Sequence, residues 1–425
     1  MYISIFQEVV DIMHHDYAGW IDKKGWDRPE KYEENIRYLE KKGELTAETF
    51  VEIVQDYLLD FKDHHMNFTL VKSDQQKEYD NGFRVRRYED HLYIISVGRE
   101  ERLKPGNVIT HLDNTTVPEL VKKHQRELME TKAEREDWRA IIKKYSVATV
   151  INNEGETRSI DLKKYEKAEY VPKHTVTRVD SDTLCMTLTD FFDPDTIQKL
   201  EKEYRDELSE IKNVIIDVRV NYGGSTLAYS CLEKYLFPSK SMTINFNDYA
   251  MKFNCTKRNT DILVESINQE IHLIADEETR KGLERFEQAW IDNRGKGFTS
   301  FDSHDEKVEI TGSDKPKNII VLCDNYCGSA GDIFVYLCKK SPKVTVIGRP
   351  TWGLNDYSNL IVKKWDNQFE FAYPTSRLDQ LDHREVLTDP GIKPDIYIPW
   401  TPKHFEKDVD MEEAMRMLRS REKVT

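Results

Sequence analysis

No stretch of this 425-residue chain comes near eighteen consecutive apolar residues, so the sequence offers no candidate for a membrane-crossing helix. Its opening, MYISIFQEVVDIMHHDYAGW, lacks a basic start and carries acids inside its apolar region. It therefore does not read as a signal peptide, and the expected address is the cytoplasm. Basic charge is short as well: 63 Lys and Arg stand against 77 Asp and Glu, a net charge of −14, and no basic run of useful length interrupts this. That argues against a nucleic-acid or anionic-membrane partner. The six cysteines (Cys185, Cys231, Cys255, Cys323, Cys327 and Cys338) include no C-x-x-C pair, and no histidine pair has zinc-site spacing. Reduced thiols, several of them in the core, are expected. Internal repeats and low-complexity linkers are also missing.

What is present is a folding chain. Aromatics at 11% and hydrophobics at 38% supply a large core, and the length allows two or three domains. Three amphipathic segments, FQEVVDIMHHDY, RPEKYEENIRYLEKKG and TAETFVEIVQDYLLDF, predict a helical head that ends at KDHHMNFTLVKS. Residues 81 to 166 read mostly as short strands, with one charged helix over VPELVKKHQRELMETKAEREDWRAIIKKY and a hairpin turn at NNEGE. From TLCMTLTDF onward strands and helices alternate: DPDTIQKLEKEYRDELSEIK, NVIIDVRV, STLAYSCLEKYLF, NIIVLCD, SAGDIFVYLCKK and KVTVIGR. A polar insertion over 239–315, with one clear helix in DEETRKGLERFEQAW, interrupts the series. Such alternation predicts an α/β fold with a mostly parallel sheet.

Functional groups in α/β sheets gather beyond the carboxyl ends of strands. Two such ends carry candidates. In VLCDNYCGSAGDIF, Ser329 stands where an apolar strand gives way to a helix, and it reads either as a helix cap with Asp332 or as a nucleophile. In NVIIDVRVNYGGST, Gly223 and Gly224 precede a helix, and read either as a tight turn or as a place where backbone N–H groups approach a ligand closely. Cys327, two residues before Ser329, is an alternative thiol nucleophile, but no helix N-terminus follows it directly.

The ensemble narrows these readings. Asp217/Arg219/Asn221/Gly223/Gly224, Ser329/Ala330/Asp332, Gly348/Thr351/Trp352/Gly353 and Gly391/Ile392/Pro394/Asp395 follow one another in order over about 200 residues. In this the chain resembles the tail-specific, or C-terminal-processing, serine protease family. The resemblance implies a ClpP/crotonase-like catalytic core, an N-terminal helical head and an inserted PDZ-like β-domain. It divides the chain into a head over 1–75, a PDZ-like domain over 76–168, a core over 169–405 and a C-terminal helix over 406–425. It implies Ser329 as nucleophile, with the Ala330 N–H and one from Gly223 or Gly224 as oxyanion donors, and no metal or organic cofactor.

Many relatives place a lysine after the Thr-(Phe/Trp)-Gly motif. Here Leu354 stands there, with Lys363 and Lys364 nearby on the next strand. The chain is therefore more similar to the tricorn-core-like branch, whose base is the histidine of an Asp-x-His segment. Asp63-His64-His65 supplies it, and His65 takes the matching place. That branch also uses a carboxylate before the Gly-Ile-x-Pro-Asp motif, for which Asp389 is the nearest candidate and Glu385 and Asp382 are substitutes. The implied activity is a serine endopeptidase that cleaves peptides or protein tails through an acyl-enzyme, with homo-oligomer formation left open. Its rivals are a degenerate relative that only binds peptides and a crotonase-like enzyme of acyl thioesters. The PDZ-like module would bind an extended peptide at a sheet edge, although only NGF (81–83) hints at its carboxylate loop.

Overall fold

The computed structural model describes residues 1–71, 78–245, 249–274, 277–301, 307–366, 368–383 and 391–422. Its contacts divide the chain into two compact units. The first comprises Met1–Asp74, Thr243–Glu309 and Leu354–Thr388, and the second Gln75–Met242, Ile310–Gly353 and Asp389–Thr425. Residues 243–309 and 354–388, which the sequence division assigns to the core, thus fold with the helical head.

In the first unit the three expected head helices span Tyr2–His15, Pro29–Lys42 and Ala47–Leu58. Their ends follow local chemistry. Proline opens the second, Gly43 closes it at φ 70, and the Thr46 hydroxyl accepts the Thr49 N–H to cap the third. Their apolar faces pack on an antiparallel sheet built from distant segments. Phe369–Leu378 pairs with Asn67–Leu70, with Tyr357–Trp365 and with Met251–Cys255, and the last pairs with Gly297–Thr299. Phe6, Phe50, Tyr57, Phe68, Phe369, Phe371 and Tyr373 form its core. The insertion carries the expected helix as Glu277–Asp292, and a second, Lys257–Glu270, that its polar sequence did not reveal.

The second unit holds two larger sheets. One is antiparallel, in the order Phe83–Tyr88, His91–Val97, Val108–Leu112, Val147–Ile151 and Thr157–Asp161, around Leu92, Ile94, Ile109, Trp138 and Val150. The NNEGE hairpin turns as expected: Asn152 Oδ1 accepts the Glu154 and Glu156 N–H groups, and Gly155 stands at φ 84. The single helix expected over 117–145 is instead four short pieces, Val117–Lys123, Gln125–Leu128, Ala133–Arg135 and Arg139–Ile142. Met129 turns left-handed at φ 53 and ends the helix there, and the chain then folds back so that Arg135 and Trp138 are both buried.

The other sheet has the predicted parallel order. Thr183–Leu188, Asn213–Asp217, Asn318–Cys323, Val344–Gly348 and Ile396–Tyr397 run in parallel, with His174–Arg178 antiparallel at one edge. Helices Pro194–Glu210, Ala330–Lys339 and Val409–Glu422 accompany it. In Asn318–Cys323 every residue after Asn318 is buried, as expected for a strand covered on both faces. The segment 225–237, expected as one helix, is a 3-10 stretch over Thr226–Leu232 followed by a single α-turn at Glu233–Leu236.

Candidate active site

Ser329 is the corner between the buried strand Asn318–Cys323 and the helix Ala330–Lys339. Its backbone stands at φ 57, ψ −121, a positive φ that a residue bearing a Cβ rarely adopts. Main-chain bonds hold the corner there. Gly328 N–H donates to the Asn221 carbonyl at 3.0 Å, Cys327 N–H to that of Asp324 at 2.9 Å, and Trp352 N–H to that of Cys327 at 2.7 Å. From the helix side, the wholly buried Asp332 accepts the Ser329 N–H at 2.8 Å and the Gly353 N–H at 2.9 Å. One carboxylate thus supplies the helix half of the expected capping box and ties the serine corner to the Thr-Trp-Gly segment.

The four sequence motifs meet in this unit. Asn221 is buried, gives its Nδ2 to the Leu188 carbonyl at 3.0 Å and accepts the Gly223 N–H at 3.0 Å. Gly223 stands at φ 74, and a Cβ there would lie 2.7 Å from both the Ser329 Cβ and the Gly328 oxygen. Gly224 stands at φ 133, and its Cβ would meet the Phe191 carbonyl group at 2.3 Å. Both positions therefore require glycine for packing as well as for backbone freedom, so a side chain at either would strain the fold itself. The two are not equivalent as donors. The Gly223 N–H is taken by Asn221, while the backbone bonds around the Phe191–Gly224 bridge use Phe191 N–H, Gly223 O and Ser225 N–H. Thr351 joins the last two motifs. Its N–H donates to the Ile392 carbonyl at 3.2 Å, and its hydroxyl accepts the Ile392 N–H at 2.9 Å.

Cys327 does not fit a nucleophile. Burial pushes its thiol well above the ordinary range, and the Asp332 carboxylate adds to this.

Three buried arginines brace the same loops, and no motif marked them in advance. Arg86, from the antiparallel sheet, donates to Asp324 at 2.9 Å and to Asn325 at 2.8 Å. Arg349 pairs with Asp324 at 3.0 Å and with Asp410 at 2.6 Å. Burial disfavours the Asp324 carboxylate, but Arg349 and Arg86 outweigh it and hold it down at about 2. Arg135 donates to three consecutive carbonyls, Pro350 at 3.3 Å and Thr351 and Trp352 at 2.8 Å.

His65 belongs to the first unit. Its backbone N–H donates to Asp63 at 2.9 Å, and its Nδ1 lies 2.6 Å from the carbonyl oxygen of Tyr357. A carbonyl only accepts, so Nδ1 carries the hydrogen, and in the neutral ring Nε2 then holds a lone pair. Lys363 is paired with Glu8 at 3.1 Å, and Lys364 is exposed on the same strand. Asp389 and Glu385 lie outside the described residues, as does the side chain of Asp382. Among the described residues no cluster of His, Cys, Asp and Glu is arranged to hold a metal ion, and no helix is long and apolar enough to cross a membrane.

A model of peptidase family S41 matches residues 182–398, which hold all four motifs. Among curated proteins no sequence matches. Among solved structures, mature CPAF complexed with lactacystin is similar at 13% identity and a TM-score of 0.66, covering 98% of this chain and 97% of that one. A second structure of mature CPAF is similar at 12% identity and a TM-score of 0.62, covering 95% and 93%. The photosystem II D1 C-terminal processing protease aligns over 95% and 94% at 13% identity, with a TM-score of 0.47. At these identities the likeness to the two CPAF structures is one of fold.

Proposed function

Because the chain belongs to peptidase family S41 and is a serine endopeptidase acting on peptides or proteins, we propose that Ser329 is its nucleophile. The observation that carries this reading is the backbone of Ser329, held at positive φ at a helix N-terminus and packed against Gly223. Strain of that kind persists where surrounding structure over-determines it, and it concentrates at functional corners. The helix N-terminus favours the negative charge that develops beside it.

In this reading Ser329 Oγ attacks the scissile carbonyl while His65 Nε2 takes its proton. The carbonyl oxygen, now negative, accepts hydrogen bonds from the Ala330 N–H and from the Gly-Gly turn, where Gly224 is the better donor because the Gly223 N–H is already used. The imidazolium returns the proton to the departing amine, and a water repeats the sequence to free the enzyme. The Nδ1 bond to Tyr357 supports His65 as the base, since it leaves Nε2 as the accepting nitrogen. The parallel sheet of the second unit, with the helices that accompany it, is read as the ClpP/crotonase-like core. The β-domain over 76–168 is read as a PDZ-like module that takes an extended peptide, in keeping with its separate antiparallel sheet and core.

Labelling with a fluorophosphonate probe and mapping the adduct by mass spectrometry tests the assignment. The adduct is expected on Ser329, and Ser329→Ala is expected to abolish labelling and peptide cleavage with little change in Tm. An adduct on another serine, or cleavage by the Ala variant, would overturn it.

A further inference from the structure

Within the first unit, both supports of His65 lead back to one buried ammonium. Lys23 is 6% exposed, and its Nζ donates to the Tyr17 hydroxyl at 2.8 Å. Tyr17 donates in turn to Asp63 Oδ2 at 2.7 Å, and Asp63 Oδ1 accepts the His65 backbone N–H at 2.9 Å. The same Nζ lies 4.2 Å from the ring centroid of Tyr357, whose carbonyl takes the Nδ1 hydrogen of His65. The fold makes room for this chain of contacts. A Cβ on Gly19 would sit 2.4 Å from the Tyr17 hydroxyl, so the tyrosine occupies space that a side chain would fill.

A desolvated lysine is costly unless its charge is answered. Burial lowers Lys23, and the carboxylates of Asp63, Asp356 and Asp22 act against that. Asp22 is itself held by Arg377 at 2.8 and 3.0 Å and by the Tyr357 hydroxyl at 3.1 Å. Plain stability would be served as well by an apolar side chain of similar volume. An ammonium touching both arms that hold one imidazole is better explained by the placement of that imidazole. We propose that Lys23 is a positioning residue for His65, acting through Tyr17 and Asp63 on one side and through Tyr357 on the other. The proposal rests on the reading of His65 as the base. Its magnitude follows from geometry, since a misplacement of about 1 Å at a reacting group costs on the order of a hundredfold in rate.

The test is a double-mutant cycle on the full chain with a peptide substrate, joined to imidazole NMR. Lys23→Met and Asp63→Asn should each lower kcat about tenfold or more with KM little changed, because neither side chain is assigned a contact with substrate. The amide introduced by Asp63→Asn would still offer an oxygen to the His65 N–H but turns its NH2 towards the Tyr17 hydroxyl, so this substitution breaks the link to Tyr17 and Lys23 while keeping the His65 bond. If Lys23 acts through Asp63, the double variant should be about as slow as the slower single one. The Nδ1–H resonance of His65, assigned by its loss in His65→Gln, should be present in the wild type and broadened in Lys23→Met. Independent, additive losses, or changes confined to Tm and KM, would overturn the proposal. So would a wild-type ring protonated only at Nε2, a measurement that needs no variant but the assignment control. Full activity in His65→Ala would instead remove the base assignment itself, which separates the two failures.

Discussion

The serine corner and the histidine segment are held by opposite means. Around Ser329 the restraints are mostly main chain: N–H groups of Gly328, Cys327, Trp352 and Gly353 are each fixed, and Gly223 packs against the serine itself. Around His65 the restraints are made by its own imidazole and by the Asp63 carboxylate, and they reach as far as the Tyr357 carbonyl, 292 residues along the chain. Backbone positioning leaves a trace in the sequence, because it demands glycine and small residues at set intervals. Side-chain positioning from a distance leaves almost none.

The largest expected effect sharpens this contrast at the histidine. His65→Ala should lower kcat/KM on the order of a thousandfold, while Lys363→Ala, whose ammonium is occupied by Glu8, should change it less than about twofold. A reversed pattern would move the base to lysine. At the serine corner, Gly223→Ala should cost about a hundredfold in turnover by displacing Ser329 and should also lower Tm, since its Cβ would press on the Ser329 Cβ and the Gly328 oxygen. Near-normal turnover there would mean that the corner is softer than its backbone suggests.

The smallest effect concerns the brace behind the corner. Asp324 is held at about 2, below its unfolded value, so its contribution is fully present above about pH 4. That contribution, on the order of 2 kcal/mol, should fade as pH falls from about 4 towards about 2. Acid unfolding of Asp324→Asn against the wild type checks it: the stability gap between them should narrow across that window.

How much of this was legible follows the same division. The alternation of buried strands and helices from 183 to 348 could be read directly, because parallel strands are continuous apolar runs and helices carry a 3.6-residue period. Ser329, Gly223 and Gly224 could be placed near one another from their motifs. The five-stranded sheet of the first unit could not, since it pairs residues as far apart as Asn67 and Ala372, and that pairing is set by tertiary packing. The broken helix over 117–145 was hidden because its charged residues score as a solvated helical face, whereas Arg135 is in fact buried against carbonyls. Arg86 likewise sits in an ordinary alternating strand, FRVRRY, and nothing local marks it as the partner of Asp324.

Arg135 has a consequence for how the chain can be cut. Its guanidinium satisfies the carbonyls of Pro350, Thr351 and Trp352, and Arg86 satisfies Asp324 and Asn325, all in loops on either side of the serine. Excising residues 76–168 would strip these acceptors of both arginines at once and leave Asp324 without one of its two guanidinium partners. The β-domain is thus part of the scaffold of the Ser329 corner, and a shortened chain without it should lose the shape of that loop.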